Sequence, residues 1–525
     1  MTAQKQSDEP YDIFVIGGGV NGCGIARDAA GRGLCVALAE KDDLAQATSS
    51  ASTKLFHGGL RYLEYFEIKL VRQALVEREV LLRNMPHISW PMRFVLPFHR
   101  DMRFENSTPI SRLLSFFMPW MKGRRPAWLI RMGLFIYDHL GGRKLLPSTS
   151  TLDLSKDPAG APLKDKFKKA YEYSDCVVDD SRLVALNARD AAMRGAQIMT
   201  RSKLIHAKRD GDLWQITLEN TDTKQTSIHY ARCLINAAGP WVKELLDGAI
   251  NFATPQNIRL VRGSHIVLKR LFDHDRAYFF QGQDGRIIFA IPYRDDFTLI
   301  GTTDADHQAA DDPAICSQVE QDYLIKFASQ YFKQPLSKDQ IIWTYAGVRA
   351  LFDDGETSAA AATRDYMIKL VDDAATAPLL NIFGGKITTY RKLAETAMKQ
   401  LKPFFANMGN DWTATAPLPG GDFPANGVEQ LLQKIQNQYA FLDATWAKRL
   451  LRAYGTDVFN LLGDAKSVDD LGKHFGWNLY QREVDWLKQN EFAQSADDIL
   501  WRRSKIGLRV NEANKKDLKT FMQTS

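Results

Sequence analysis

The run Gly17-Gly18-Gly19-Val20-Asn21-Gly22, a G-x-G-x-x-G turn, restricts this chain more than any other feature. It follows Tyr11-Asp12-Ile13-Phe14-Val15-Ile16, an apolar run rich in β-branched and aromatic residues that reads as a buried strand. Residues 25–30 then read as a helix and Leu34-Cys35-Val36-Ala37-Leu38-Ala39 as a second strand. Strand, glycine turn, helix and strand within about thirty residues form a βαβ unit, which implies parallel strands. Gly17, Gly19 and Gly22 permit a tight turn, close approach of a pyrophosphate and close packing of helix on strand. The helix N-terminus behind them offers free N–H groups and a positive dipole end to phosphate. Glu40 stands 18 residues beyond Gly22, where a carboxylate accepts from a ribose 2′-hydroxyl and repels a 2′-phosphate. A glycine turn alone is a weak signal. Strand, helix, spacing and acid together specify a dinucleotide fold.

The next segment selects the dinucleotide. Thr48-Ser49-Ser50-Ala51-Ser52-Thr53-Lys54-Leu55-Phe56-His57-Gly58-Gly59-Leu60-Arg61-Tyr62 is dense in small and hydroxylated residues. Such a stretch passes close to a flat ring and offers donors to phosphates, which FAD needs and NAD does not. A polar surface loop is the commonplace alternative, and two further segments weigh against it. Residues 233–236 read as a strand running into Ala237-Ala238-Gly239-Pro240-Trp241, small residues at a strand end. Residues 379–383 read as a strand running into Gly384-Gly385-Lys386-Ile387-Thr388-Thr389-Tyr390, with a helix expected from near Thr388 that keeps Leu393, Ala397 and Leu401 on one face. The N-terminus of that helix can face the flavin pyrimidine edge and stabilise negative charge on the reduced ring.

At 525 residues the chain exceeds one compact core. Apolar residues at 45% and charged residues at 25% are ordinary for a folded protein, and a net charge of +6 makes no case for nucleic acid. The five cysteines form no C-x-x-C pair and read as reduced thiols, not as disulfides or a metal site. The first ten residues have no apolar core of a signal peptide, and no window reaches the ~20 apolar residues of a spanning helix. Further strands are expected at 214–218 and 286–291, a linker at 418–424 and helices beyond it. The expected fold is α/β: a Rossmann-like FAD-binding domain interleaved with a mixed α+β substrate domain, plus a helical C-terminal domain. The body spans 1–415, with its FAD parts near 11–95, 170–260 and 340–415, and the helical domain spans 416–525.

The glycine turn, Thr48-Ser49-Ser50-Ala51-Ser52, His57-Gly58-Gly59-Leu60-Arg61-Tyr62-Leu63 and the run from Phe383 to Leu393 resemble the FAD-dependent, quinone-linked glycerol-3-phosphate dehydrogenases of aerobic bacteria. So do Tyr173-Ser174-Asp175-Cys176, Arg262-Gly263-Ser264-His265, Gly301-Thr302-Thr303-Asp304 and Gly347-Val348-Arg349. The resemblance extends from about Tyr11 to Trp501-Arg502-Arg503, and residues 100–125 are longer than the family pattern. It implies oxidation of sn-glycerol 3-phosphate to dihydroxyacetone phosphate by hydride transfer to flavin N5, reoxidation by ubiquinone, a homodimer, and attachment to the inner face of the cytoplasmic membrane.

The matched motifs nominate cofactor contacts at Gly17, Gly19, Gly22, Glu40, Thr48, Ser49, Ser50, Ser52, Lys54, His57, Gly58, Gly59, Gly239, Asp304, Gly385, Lys386, Thr388 and Thr389. A small dianionic substrate calls for cations, and the planar fork of arginine suits phosphate. Arg61, Arg349, Arg364 and Lys386, with Tyr62, are the candidates. Hydride transfer also requires removal of the hydroxyl proton. His265 is favoured as partner of that hydroxyl and His57 as a flavin-side residue, with Arg349 as an alternative contact to the hydroxyl.

Between residues 100 and 144 nine Lys/Arg face three Asp/Glu, interleaved with Phe104, Phe116, Phe117, Trp120, Trp128, Phe135 and Tyr137. Rings beside cations such as Lys122, Arg124 and Arg125 suit the headgroup boundary of an anionic membrane. A helix pair packed on the body explains the periodicity equally well. The rival functions are an oxidase handing electrons to oxygen, an amine or amino-acid oxidase, and a flavin-binding protein without turnover.

Overall fold

The computed structural model describes residues 9–99, 102–103, 108–117, 124–142, 144–282, 285–352, 365–372 and 376–524. β1 (Tyr11–Ile16) lies between β2 (Val36–Ala39) and the strand Thr226–Asn236, parallel to both. Gln197–Met199 extends this parallel array beyond β2, and Leu379–Phe383 extends it beyond Thr226–Asn236. Antiparallel Met367–Val371 and the hairpin Ser202–Asp210/Leu213–Asn220 complete an eight-stranded sheet.

Both faces of this sheet are covered, which is why its central strands read as unbroken apolar runs. Ile13, Val15, Val36, Leu38, Cys233, Ile235, Leu380 and Ile382 belong to one core with Ile25, Ala26 and Ala29 of α1 (Val20–Gly31) and with Leu393, Ala397 and Leu401 of the helix Tyr390–Leu401. Phe14, Ile16, Ala37, Leu234, Leu379 and Phe383 point the other way, toward Trp214, Ile216 and the short helix Val242–Asp247. The two-residue period of a strand divides each run between two cores.

A second sheet has ten strands. Its longest ladder pairs Ile258–Lys269 with Ile341–Phe352 antiparallel, setting Gly263 opposite Gly347 and His265 opposite Tyr345. The helix Gln318–Ala328 packs behind it in an aromatic core with Tyr278, Phe280, Tyr331 and Phe332. The strand expected at 286–291 is Ile287–Tyr293, and that at 214–218 lies inside Leu213–Asn220. The second strand of the βαβ unit is shorter than expected. Leu34 and Cys35 precede it because the ladder to β1 begins only at Ile13↔Val36.

Beyond residue 418 the described chain is helical, built on Val428–Gln438, Ala444–Tyr454, Gln481–Glu491 and Glu512–Thr524 around its own apolar cluster. Residues 418–424 are packed as well as connecting: Leu418 is buried and its N–H donates to the Asn84 carbonyl. Buried ion pairs fasten this helical part to the first sheet's side. Arg503 meets Asp43 at 2.8 Å with both side chains 1% exposed, Arg182 pairs with Glu491, Arg189 with Asp457 and Arg201 with Asp498. Such charges are tolerable in the interior only because each is paired and hydrogen-bonded.

Candidate active site

Between the two sheets runs a cavity of about 1120 Å³, lined from the glycine turn at one end to Lys386, Arg349 and His265 at the other. At the glycine end the backbone turns too tightly for any other residue. Gly17 has φ +113°, and a β-carbon there would lie 2.5 Å from the Ala237 carbonyl oxygen. The first N–H of α1, Val20, donates to the Ser49 hydroxyl at 3.0 Å, so helix end and hydroxyl-rich loop meet. Glu40 accepts from the N–H groups of Gly18 at 2.6 Å and Asp42 at 2.9 Å. Burial raises its pKa, and those two amide bonds oppose the rise. The far wall of this arm is Trp241, whose indole N–H donates to Asp311 at 2.6 Å while Lys41 covers its ring at 4.1 Å.

At the other end two glycine-containing motifs meet. Gly263 lies under the Arg349 guanidinium, where a β-carbon would stand 2.5 Å from a terminal nitrogen, and Gly301 lies under the ring of His265. Arg349 pairs with Asp304 and reaches Thr302 at 3.2 Å. Both motifs are held from behind by Glu320, which accepts from Ser264 at 2.7 Å, Thr303 at 2.8 Å and Arg262 at 2.9 Å. Burial alone would raise the Glu320 pKa, but bonds from Ser317, Ser264 and Arg262 hold it down to about 2.

His265 is 1% exposed, and its Nε2 meets the Thr53 hydroxyl at 3.0 Å. Burial first, then the cations Lys54 and Arg349, push its pKa well below the ordinary histidine range, so the imidazole is neutral. Across the cavity Lys386 lies 4.0 Å over the ring of Tyr62, bringing the two glycine-flanked motifs together. Gly384 and Gly385 take φ values of +72° and +103°, and Asn21 of α1 donates to the Gly384 carbonyl at 3.1 Å. A 3₁₀ turn, Ile387–Thr389, then leads into the helix expected there.

Of the residues nominated from sequence, Gly17, Gly19, Glu40, Thr48, Ser49, Ser50, Ser52, His57, Gly59, Arg61, Tyr62, Gly239, His265, Asp304, Arg349, Gly385, Lys386 and Thr388 line this one cavity. Gly22, Gly58 and Thr389 stand behind its wall. Lys54 turns away: its backbone has φ +61°, and its ammonium is buried on Asp180 at 2.8 Å. Arg364 lies outside the described residues, as do Phe104, Trp120 and Lys122. Two residues assigned from sequence to the membrane boundary are interior instead. Arg125 is buried against Glu64 at 2.5 Å and donates to Gln281, and Tyr137 is 2% exposed. Missed altogether were Lys41, Asp311 and the wall residues Trp501, Arg502 and Lys505 of the helical part. Trp501 stacks on Trp343 at 5.0 Å, a contact no local pattern announces.

The cavity fits FAD: a bare glycine turn before a helix N-terminus, the carboxylate of Glu40 just beyond the second strand, and a continuous chamber from there to a cationic end. Comparison with known proteins agrees. A family model described as FAD dependent oxidoreductase matches residues 12–384, and one described as the C-terminal domain of alpha-glycerophosphate oxidase matches 412–523. The chain is 48% identical over 516 residues to a glycerol-3-phosphate dehydrogenase of Pseudomonas aeruginosa, covering 98% of this chain and 96% of that one. It is 44% identical over 503 residues to the aerobic glycerol-3-phosphate dehydrogenase of Escherichia coli, covering 96% and 95%. It is also 48% identical over 507 residues to D-erythritol 1-phosphate dehydrogenase of Brucella abortus, covering 97% and 96%. Among solved structures, the FAD complex of a glycerol-3-phosphate dehydrogenase from Bacillus halodurans shares the fold, with TM-score 0.71 at 24% identity over 99% of this chain and 95% of that one. By these matches the chain belongs to the FAD-dependent glycerol-3-phosphate dehydrogenase family of oxidoreductases.

Proposed function

We propose that this enzyme oxidises sn-glycerol 3-phosphate to dihydroxyacetone phosphate and passes the electrons to ubiquinone. The observation that carries the reading is the convergence of Arg349, Lys386, Arg61 and neutral His265 at one end of a cavity built for FAD. Gly17, Gly19, Glu40 and Ser49 would hold FAD along that cavity, and the bound flavin would supply the hydride acceptor for substrate C2.

The protein's own groups do the rest. Arg61, Lys386 and Arg349 hold the phosphate dianion, whose charge a desolvated site must offset. Asp304 aims the Arg349 guanidinium, and the missing side chain at Gly263 gives it room. His265 takes the C2 hydroxyl proton through Nδ1, which has no hydrogen-bond partner among the described residues, while Thr53 fixes the ring through Nε2. The bound phosphate dianion offsets the cations that depress His265, which strengthens the base when substrate is present. His57 and Gly59 flank the flavin-side wall. The 1–415 body carries this chemistry, and 416–525 closes the chamber with Trp501, Arg502 and Lys505.

Attachment to the inner face of the cytoplasmic membrane rests on an exposed apolar face. The helix Pro109–Phe117 exposes Leu113, Phe116 and Phe117, the helix Ala127–Leu140 exposes Trp128, Met132, Phe135 and Ile136, and Phe66 and Ile68 stand beside them. Phe116 is 80% exposed. Both helices pack on the 3₁₀ helix Leu60–Tyr65, and exposed rings grouped so suit a lipid or partner surface. Among the described residues no helix is long and apolar enough to cross a membrane. Anionic lipid is the proposed partner, and a homodimer the proposed assembly.

The identity to the Brucella enzyme favours a second reading, in which D-erythritol 1-phosphate is the better substrate. Anaerobic titration of the yellow holoenzyme with each compound separates the two. Bleaching by glycerol 3-phosphate at the higher kcat/KM supports the first reading, and bleaching by neither sinks both. Reoxidation of the bleached enzyme faster by a ubiquinone analogue than by oxygen is expected, and the reverse order identifies an oxidase.

A further inference from the structure

The motif Tyr173-Ser174-Asp175-Cys176 has so far no role, and neither has the buried face of the helix Ala127–Leu140. The two meet beneath the flavin-side turn. Gly58, between the cavity residues His57 and Gly59, has a buried N–H that no strand or helix partner satisfies. A buried amide must find an acceptor. Here that acceptor is the Tyr137 hydroxyl at 2.7 Å, brought from 79 residues downstream. The same hydroxyl donates to Asp175, whose oxygens lie at 2.9 and 3.0 Å. Arg78 pairs with Asp175 and also donates to the Ser174 carbonyl at 2.8 Å. Tyr137, Asp175 and Arg78 are each 4% exposed or less.

The turn is therefore hung from two anchors: the Thr388 hydroxyl accepts from the His57 N–H at 3.3 Å, and Tyr137 accepts from the next amide. It also rests directly on its support, since a β-carbon at Gly58 would stand 2.5 Å from Leu75 and 2.8 Å from the Tyr137 ring. Arg61 and Tyr62 continue from this turn into the cavity. Its height above Tyr137 thus sets the position of the flavin-side wall and of two substrate-side residues together.

We propose that Tyr137 and Asp175 are positioning residues for the reaction, acting through the Gly58 N–H to hold the His57-Gly58-Gly59 turn in register with the flavin and the substrate. The hydroxyl serves as a relay. By donating to the Asp175 carboxylate it is polarised as an acceptor, so the amide bond is stronger than a neutral hydroxyl would give. The buried side of a helix whose other side carries the exposed Trp128, Met132 and Phe135 is in this way part of the active-site scaffold. The proposal rests on glycerol 3-phosphate, or a related polyol phosphate, as the reductant.

The test is Tyr137→Phe in the full-length holoenzyme, which keeps the ring and removes only the hydroxyl. Flavin content should stay near that of the parent. The visible flavin band should shift, and anaerobic flavin reduction at saturating substrate should slow by about tenfold to a hundredfold, the scale of a sub-ångström to 1 Å misplacement. Asp175→Asn, which preserves shape and leaves the tyrosine in place, should give a smaller slowing of the same kind. A role confined to stability lowers the melting temperature and leaves the band and the reduction rate unchanged, which overturns the proposal. If Tyr137→Phe loses its flavin, the decision passes to Asp175→Asn, where an unchanged band and rate overturn it equally. A parent enzyme that neither compound bleaches condemns the substrate assignment instead, so the two failures are distinct.

Discussion

The imidazole of His265 lies flat on the ring of Tyr345, with centroids 4.7 Å apart and planes 12° apart. Tyr345 is itself anchored by donation to the Ser52 carbonyl at 2.9 Å, and Thr53 holds the imidazole edge. Stack and hydrogen bond together leave the ring one orientation. Replacing Tyr345 by leucine removes a stacking interaction of about 0.5–1.5 kcal/mol and frees the imidazole, so kcat should fall by roughly tenfold. Tyr345→Phe keeps the stack and should lose less. Steady-state rates with a soluble dye, normalised to flavin content, decide the matter. Equal rates in parent and leucine variant would mean the stack is idle.

The same imidazole predicts a pH dependence. Its folded pKa is depressed, by burial first and then by Lys54 and Arg349. The folded state therefore loses stability as pH falls below the unfolded value of 6.5, since a buried neutral ring must then become charged. Above that value the contribution is fully present. In kcat/KM, which reports the free enzyme, the acid limb of His265 should lie below pH 6.5 and disappear in His265→Gln. An acid limb above 6.5 would show that some other group takes the proton.

Glu320 predicts an opposite experiment, on stability. Its carboxylate collects Ser264, Thr303 and Arg262 behind the site, and its pKa is held down to about 2. A depressed carboxylate stabilises fully above its unfolded value near 4.5 and loses that contribution as pH falls toward 2. Glu320→Ala should lower stability at neutral pH by about 2–3 kcal/mol, as expected for buried polar groups left without a charged partner. Chemical denaturation at pH 7 and near pH 3 checks both parts: the gap between parent and variant should narrow at the lower pH.

Glu40→Ala should weaken FAD binding without unfolding the chain. The carboxylate already spans two backbone amides, and loss of a hydrogen bond to a charged group costs roughly 1.5–3 kcal/mol. That corresponds to at least about tenfold faster flavin release, measured by recovery of flavin fluorescence on dilution. An unchanged release rate would remove Glu40 from the ribose.

The apolar face and the buried arginine beside it should separate cleanly. Changing Phe116, Phe117 and Phe135 to glutamate should abolish sedimentation with anionic vesicles and spare dye-linked activity, because each ring is more than half exposed. Arg125→Glu should do the reverse. It places two carboxylates together where Arg125 now meets Glu64, within the 3₁₀ helix Leu60–Tyr65 that carries Arg61 and Tyr62. Vesicle binding lost in Arg125→Glu with activity intact would return Arg125 to the surface.

What was legible in the sequence is what depends on local order. The glycine turn, Glu40 and the glycine pair before Lys386 lie next to the strands and helices that place them, so their positions follow from adjacency. Lys54 closes a run with five hydroxylated residues, Thr48, Ser49, Ser50, Ser52 and Thr53, that points it to the cofactor, yet its left-handed backbone sends the side chain to Asp180. Tyr137 stands among exposed rings in sequence, but its helical spacing from Leu134 marks the inward face. Arg125 carried no such signal, since its partner Glu64 lies 61 residues earlier. Trp501 and Lys505 reach the cavity from more than 100 residues beyond Lys386, through helix packing that a motif cannot encode.

The buried pairs of Asp43 with Arg503 and of Arg182 with Glu491 also dictate an order of assembly. A nascent chain exposes its residues from the N-terminus at about 5–20 per second. Asp43 and Arg182 therefore emerge long before their partners and must stay hydrated until the last helices arrive. The dinucleotide fold can form early, but its charged seam cannot close and Trp501 cannot roof the chamber. Flavin thus has an open doorway during synthesis that the arrival of Glu491, Trp501 and Arg503 shuts, and a ribosome stalled before residue 500 should hold a chain that exchanges FAD freely.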